Sequence, residues 1–291
     1  MNTINSTYLD LLQALLEAGP RESRGLAHRE LRAPTVVDIP GNGLVTLASR
    51  KLSYTFAIIE RMSYLSGRGF YPNATIAYAK NYKRFIEPGG YDRGAYGQRM
   101  APQLRRAWSQ LDRDPHTRQA VVNVYNHLED GRKDKMNTPC TLALHFMQGH
   151  DGSLELVAYM RSNDILWGFP YDVSAFRFLQ QVMAHWLGWE VGSYTHVATS
   201  LHLYERDVER AQAMVDAGCG DVLTRVGTHP STWDLTIEDT AQAMAEFWEA
   251  EEAMRHGVLR PTYGSTVAVS SCLMESLEAL QRKWTKHHGG A

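Results

Sequence analysis

Two alternating runs near the middle of the chain restrict its fold more than any other feature. CTLALHFM (residues 140–147) and LELVAYMR (154–161) are joined by QGHDGS. Alternation on both sides of a short Gly-containing connection reads as a β-hairpin. The next segment, DVSAFRFLQQVMAHWLGW (172–189), changes period. Val173, Phe176, Leu179, Val182, Met183 and Trp186 recur as on a largely buried helix, closed by Gly188. A hairpin followed by a buried helix predicts an α+β domain, a mixed β-sheet packed with helices.

The flanking segments agree. STYLDLLQALLEAGP (6–20) reads as an amphipathic helix capped by Ser6 or Thr7 and ended by Gly19-Pro20. VTLASRKLSYTFAIIERMSYLSG (45–67) reads as a strand passing into a helix that carries Glu60 and ends near Gly67. RQAVVNVY (118–125) reads as a strand. TAQAMAEFWEAEEAMRHG (240–257) and SSCLMESLEALQRKW (270–284) read as two further helices. With neither repeats nor linkers, residues 1–291 are expected to form a single domain.

Composition narrows the function. A formal net charge of −2 gives no footprint for nucleic acid. No apolar run reaches bilayer-spanning length, and MNTINSTYLD lacks the basic start and apolar core of a signal peptide. Cys140, Cys219 and Cys272 are widely spaced, which fits a reducing, cytoplasmic setting better than a disulfide scaffold or a cysteine metal site.

Cys140 stands directly after Pro139, at the mouth of the first hairpin strand. The returning strand ends in MRSND, with Arg161, Ser162 and Asp164. Asp172 follows in GFPYD at the start of the buried helix, and His202 and Tyr204 in LHLY. A hairpin folding back can bring Arg161 beside Cys140, where a cation lowers a thiol's pKa. Each residue also has a plainer reading: Cys140 as core filler, Asp172 as a helix N-cap, Arg161 with Asp164 as a surface ion pair, His202 as a core histidine, Glu60 as a solvated helix position.

In this order and spacing, PC, RSxD, GxPYD and HxY closely resemble the thymidylate synthase family, from about Tyr8 to Asp207; residues 208–291 match it poorly. The resemblance implies that family's fold, with one sheet face forming a homodimer interface. It implies Cys140 as nucleophile, Glu60 (in ERMSYLSG) organising water and protons, and Tyr96 (in AYGQR) assisting proton removal. Arg24 (in ESRG), Arg161 and Ser162 would bind the nucleotide, with His202 and Tyr204 on its sugar. Arg118 (in DPHTRQAVV) would reach the partner's phosphate. Asp164 and Tyr82 would face the co-substrate, 5,10-methylenetetrahydrofolate. Gln119, Thr141 and residues 198–200 depart from the family pattern.

The chemistry so implied is covalent. A thiolate adding to pyrimidine C6 makes C5 nucleophilic toward a one-carbon unit. The family's synthases carry Asn where this chain has Asp172. An ionised carboxylate only accepts hydrogen bonds, which suits the amino group of cytosine and opposes uracil O4. Asp172 therefore points to the cytidylate 5-hydroxymethylase branch, in which water, rather than hydride, completes the reaction. Tyr82, in place of a tryptophan, fits the admission of that water. The sugar is less determined: the Arg-rich composition and altered pocket favour CMP, used by the branch found in nucleoside-antibiotic pathways, over dCMP. Arg132 and Lys133 are further cations near the site. The alternatives are a synthase methylating dUMP, a cysteine hydrolase using His145 or His202, and a non-catalytic nucleotide-binding protein.

Overall fold

The hairpin forms where the alternation places it, with Thr141–Gln148 antiparallel to Leu154–Met160. The computed structural model describes residues 3–23, 25–69, 72–132, 136–220, 233–258 and 261–288. Along the chain run α1 (Ile4–Glu17), β1 (Pro20–Ser23), β2 (Leu26–Asp38), α2 (Tyr54–Ser66), α3 (Asn73–Tyr78), α4 (Gly97–Arg113), β3 (Val121–Asn123), β4 (Thr141–Gln148), β5 (Leu154–Met160), β6 (Asn163–Asp164), α5 (Phe169–Leu187), β7 (Val191–Tyr204), α6 (Val208–Ala217), α7 (Ile237–Arg255), α8 (Ser265–Ala268) and α9 (Ser271–His288).

Among the described residues, seven strands form one mixed sheet, ordered β1-β2-β7-β5-β4-β3, with β6 beside β7. β7 runs parallel to β5 and β6 and antiparallel to β2. The parallel pairing is possible because α5 carries the chain back across the sheet. One face buries Leu144, Phe146, Leu156, Ala158 and Met160 against α5, whose Val173, Phe176, Leu179, Val182 and Met183 are themselves buried. The other face leaves Leu142, Tyr159 and Val36 exposed. The α+β class expected from the sequence is the class observed.

Two local expectations are corrected. Residues 45–47 form no extended strand. Thr46 instead gives its N–H to Asn5 Oδ1 (2.9 Å) and accepts from Asn5 Nδ2 (2.9 Å), so an α1 side chain satisfies this backbone while Val45 and Leu47 enter the core. The cap of α1 is Thr3, not Ser6 or Thr7. Thr3 and Ser6 form a reciprocal capping box.

α2 starts on Ser53, whose hydroxyl accepts from Phe56 N, and ends on Gly67 in the left-handed region (φ 78°). The C-terminal helices dock on it. Trp248 Nε1 donates to Ser66 Oγ (2.9 Å), and Trp284 Nε1 to Tyr78 OH at the end of α3 (2.6 Å). A continuous hydrophobic cluster runs from α1 to Trp284.

The first turn of α4 crosses the end of α2 so closely that a Cβ on Gly97 would collide with the carbonyl oxygens of Ser63 and Arg68. Backbone cannot yield as a side chain can. Gly97→Ala is therefore expected to destabilise the protein by about 3 kcal/mol, lowering Tm by roughly 5 °C or more. Calorimetry showing an unchanged Tm would refute this tight crossing.

Candidate active site

Cys140 ends the loop that leads into β4, and Arg161 leaves β5 directly opposite. Arg161 N–H donates to Cys140 O (2.9 Å). Its guanidinium donates to Pro139 O (2.8 Å) and Thr138 O (3.0 Å) and lies 3.8 Å from Cys140 Sγ. The hairpin thus delivers the cation to the thiol as its register requires. The expected lowering of the thiol pKa does not follow. Burial pushes Cys140 up, Arg161 pulls it down, and Asp172 and Asp164 push it up again, so it lies above the ordinary thiol range. At neutral pH the group is therefore held as the thiol. No imidazole reaches Sγ among the described residues, and His145 Nε2 instead meets Arg118 O (3.1 Å).

Tyr96, at the head of α4, fixes the same loop from the other side. Its hydroxyl oxygen accepts from Cys140 N and Thr141 N (3.0 Å each) and lies 3.2 Å from Thr141 Oγ1. Its ring stacks on Tyr64 of α2 with centroids 5.4 Å apart. Burial holds the phenol far above its usual pKa. Thr141 is fully buried between Tyr96 and Met160.

Glu60 and Asp172 approach this pair from α2 and α5. Burial raises Glu60 to about 8; the Asp172 charge adds to this, and a hydrogen bond with Tyr64 opposes it. Its Oε2 makes no hydrogen bond with the described residues. A solvated helix position would show neither property. Asp172 is raised to about 7, again by burial first, with a hydrogen bond from Asn163 lowering it and Asp164 raising it. It is not the N-cap of α5, which starts three residues earlier from Gly168 with a proline in its first turn. Asn163 Nδ2 donates to Asp172 Oδ2 at 2.7 Å.

The remaining expected residues divide. Asp164 Oδ1 accepts from Leu166 N (2.8 Å) and Trp167 N (3.0 Å), so this carboxylate shapes the turn into α5. Ser162 sits beside it, between β5 and β6. His202, opposite Asp164 across β6 and β7, meets Tyr204 edge-on at 5.1 Å and His28 at 6.1 Å. Ser200 is tied to Glu30 of β2 (2.6 Å). Tyr82 donates to Asp92 Oδ2 (2.6 Å), so its hydroxyl is engaged; its pKa is raised chiefly by burial and by Asp92, with smaller contributions from Glu60 and Tyr96, which places it near both. Arg118 lies elsewhere. It lines a shallow depression with His116, Gln148 and His150 at the hairpin tip, about 25 Å along β4 from Cys140. Arg24 and Lys133 fall outside the described residues, and Arg132 is exposed.

Several members of the site went unread in the sequence. Asp92 is fully buried and accepts from Tyr82, Asn137 Nδ2 (2.9 Å) and Gly94 N (2.8 Å), joining the Tyr82 segment to the loop before Cys140. Asn163, His196 and Tyr194 form a buried line behind Asp172. Asn163 was in view within RSND, and the inward alternation of β7 at Tyr194, His196 and Ala198 could have marked the others. No group of His, Cys, Asp or Glu among the described residues is arranged to hold a metal.

The acidity of Asp172 has a consequence for stability. The folded state keeps its proton up to about pH 7, whereas the unfolded chain releases it near 4. Its contribution is therefore full below about pH 4 and lost as pH rises to 7. Asp172→Asn, which has no such titration, should gain stability relative to the unchanged protein over that interval, by on the order of 4 kcal/mol at most. Denaturant unfolding of both proteins from pH 4 to 8 tests this; a constant difference would show an unperturbed carboxyl group.

The comparisons with known proteins agree with one another. The thymidylate synthase family model matches residues 73–218. A protein of Bacillus phage SP01 described as deoxyuridylate hydroxymethyltransferase is 33% identical over 223 residues, 69% of this chain and 57% of that protein. The chain thus spans little more than half the length of that relative.

Proposed function

Because the chain belongs to the thymidylate synthase family, we propose that it transfers a one-carbon unit to C5 of a cytidine monophosphate nucleotide and completes the product with water, giving the 5-hydroxymethyl nucleotide. The reading rests above all on Asp172, a buried carboxyl group held by Asn163 Nδ2 at 2.7 Å, its pKa raised by that burial to about 7. Cytosine N3 is an acceptor, so pairing it with a carboxylate needs a proton between them. A carboxyl group half-protonated near neutrality supplies it, and as Cys140 adds to C6 that proton offsets the charge developing on the ring.

The other residues take consistent roles. Cys140 attacks, and Arg161 favours its thiolate form while anchoring the loop. Glu60, protonated at neutral pH and with Oε2 unengaged by the described residues, is suited to exchange a proton with water beside C5. Tyr96 holds the thiol's loop and stacks on Tyr64, which hydrogen-bonds that carboxyl group. The co-substrate 5,10-methylenetetrahydrofolate supplies the one-carbon unit, and Asp164 and Tyr82 are the residues proposed to face it. His202 and Tyr204 would hold the sugar, Ser162 and Arg24 the phosphate. CMP is preferred to dCMP on the sequence grounds given above.

The remoteness of Arg118 from Cys140 within one chain supports a homodimer in which Arg118 serves the partner's site, with the exposed sheet face as interface. The whole of 1–291 is taken as one catalytic domain. A second reading comes from the phage relative, whose name specifies deoxyuridylate. A protonated Asp172 can donate as well as accept, so it could also pair with uracil O4.

Incubation with CMP, dCMP and dUMP in turn, each with 5,10-methylenetetrahydrofolate, should add one CH2O unit to a cytosine nucleotide without forming dihydrofolate. The same gain on dUMP alone would make the substrate uracil, and a CH2 gain with dihydrofolate would make the protein a synthase. Mixing inactive Arg118→Ala and Cys140→Ala proteins should restore partial activity; no recovery despite confirmed subunit exchange would exclude a shared site.

A further inference from the structure

Behind Asp172 lies a line of hydrogen bonds in which each direction sets the next. Asn163 Nδ2 donates to Asp172 Oδ2 at 2.7 Å, Asn163 Oδ1 meets His196 Nε2 at 3.0 Å, and His196 Nδ1 meets the Tyr194 hydroxyl at 2.8 Å. Asn163 and His196 are almost fully buried, at 2% and 1% exposure, so none of these atoms has water as an easy substitute. Burial drives His196 down to about 3, leaving a neutral ring with one N–H. A carbonyl oxygen only accepts, so that N–H is on Nε2, and Nδ1 accepts from Tyr194. Turning the amide round would require a new imidazole tautomer, a reversed tyrosine hydroxyl and a proton on Asp172 Oδ2, all at once. Without that proton, two oxygens would face each other. Gly168 closes over the pair: a Cβ there would fall 2.9 Å from Asn163 Nδ2 and 3.2 Å from Asp172 Oδ2.

We propose that Asn163 is a positioning residue for base selection, its amide clamped by His196 and Tyr194 so that Asp172 Oδ2 stays an acceptor and any proton on the carboxyl group sits on Oδ1. This rests on the reading of Asp172 as the base-recognising residue. With Oδ1 at the ring nitrogen and Oδ2 at the exocyclic group, cytosine is matched twice: Oδ1–H donates to N3, and Oδ2 accepts from the N4 amino group. Uracil inverts both positions. Its N3–H can be met by an ionised Oδ1, but O4 needs a donor at Oδ2, where the Asn163 N–H already points. The clamp therefore rejects uracil even when Asp172 is protonated, a discrimination that Asp172 alone does not provide.

Equilibrium binding separates this proposal from the base assignment and needs no turnover. Isothermal titration of CMP against UMP, and of dCMP against dUMP, gives a cytosine-to-uracil preference for the unchanged protein and for His196→Phe, Tyr194→Phe and His196→Gln. The unchanged protein should prefer cytosine by about tenfold or more. His196→Phe, which frees the amide, should lose most of that preference. Tyr194→Phe, a milder change less able to disturb folding, should lose part of it. His196→Gln, which can still donate to Asn163 Oδ1, should retain it. A cytosine preference unchanged in both Phe variants, or one lost equally in His196→Gln, would reduce the line to a structural role and overturn the proposal. A uracil preference in the unchanged protein that the Phe variants abolish would refute cytosine as the base while leaving Asn163 as its selector. A uracil preference that persists in them would refute both.

Discussion

The pairing of two-residue β6 with β7 holds the site together. Asn163 lies opposite Leu201 and Asp164 opposite His202. That brief parallel contact fixes the segment from Met160 to Asp172, which carries Arg161, Ser162, Asn163, Asp164 and Asp172 in succession. At one end Arg161 is bound to the Cys140 loop through backbone and guanidinium. At the other, Asp164 caps the turn that starts α5 and so sets the height at which Asp172 emerges. Slipping β6 by one residue would invert which side chains face inward. The thiol's cation, the amide behind Asp172 and the partner of His202 would all be lost together.

This placement raises the pKa values of the acids around the site. A thiol raised above its usual range, carboxyl groups near 8 and 7, buried phenols and a neutral imidazole surround a single guanidinium at Sγ. Buried groups of this kind neutralise rather than remain as unpaired ions. A site built from neutral acids is suited to chemistry in which protons move between nearby groups. Burial is the first cause of both shifts, with Asp172 further raising Glu60 and Asp164 further raising Asp172, so each can hold or release a proton near neutrality.

What the sequence revealed follows from how local each feature is. The hairpin was legible because strand alternation and a glycine turn are properties of neighbouring residues, and the Cys140–Arg161 contact followed from its register. The net pKa of Cys140 was not legible, since it depends on burial, Asp172 and Asp164, none of them local. Asp172 looked like an N-cap because acidic residues before apolar helices usually are; Gly168 and Pro170 started the helix earlier and left the carboxyl group inside. The line through Asn163, His196 and Tyr194 joins residues some thirty positions apart through a parallel pairing that no pattern within either segment announces.

The divergent C-terminal part enters the site indirectly, through α2. Glu60 and Arg61 are consecutive, so on a helix they point to different sides. Glu60 turns toward Asp172. Arg61 is 2% exposed, its guanidinium bound to Ser174 of α5 and lying over Phe178, with Tyr54 and Cys272 nearby. Burying a guanidinium with so few partners costs free energy. Moving it would cost more, because sliding or rotating α2 would strip those partners while leaving the charge enclosed. Trp248, bonded to Ser66 at the end of α2, resists the same displacement from the outer side. Arg61 and the α7–α9 layer therefore hold α2 in register against α5, and that register fixes the separation of Glu60 and Asp172.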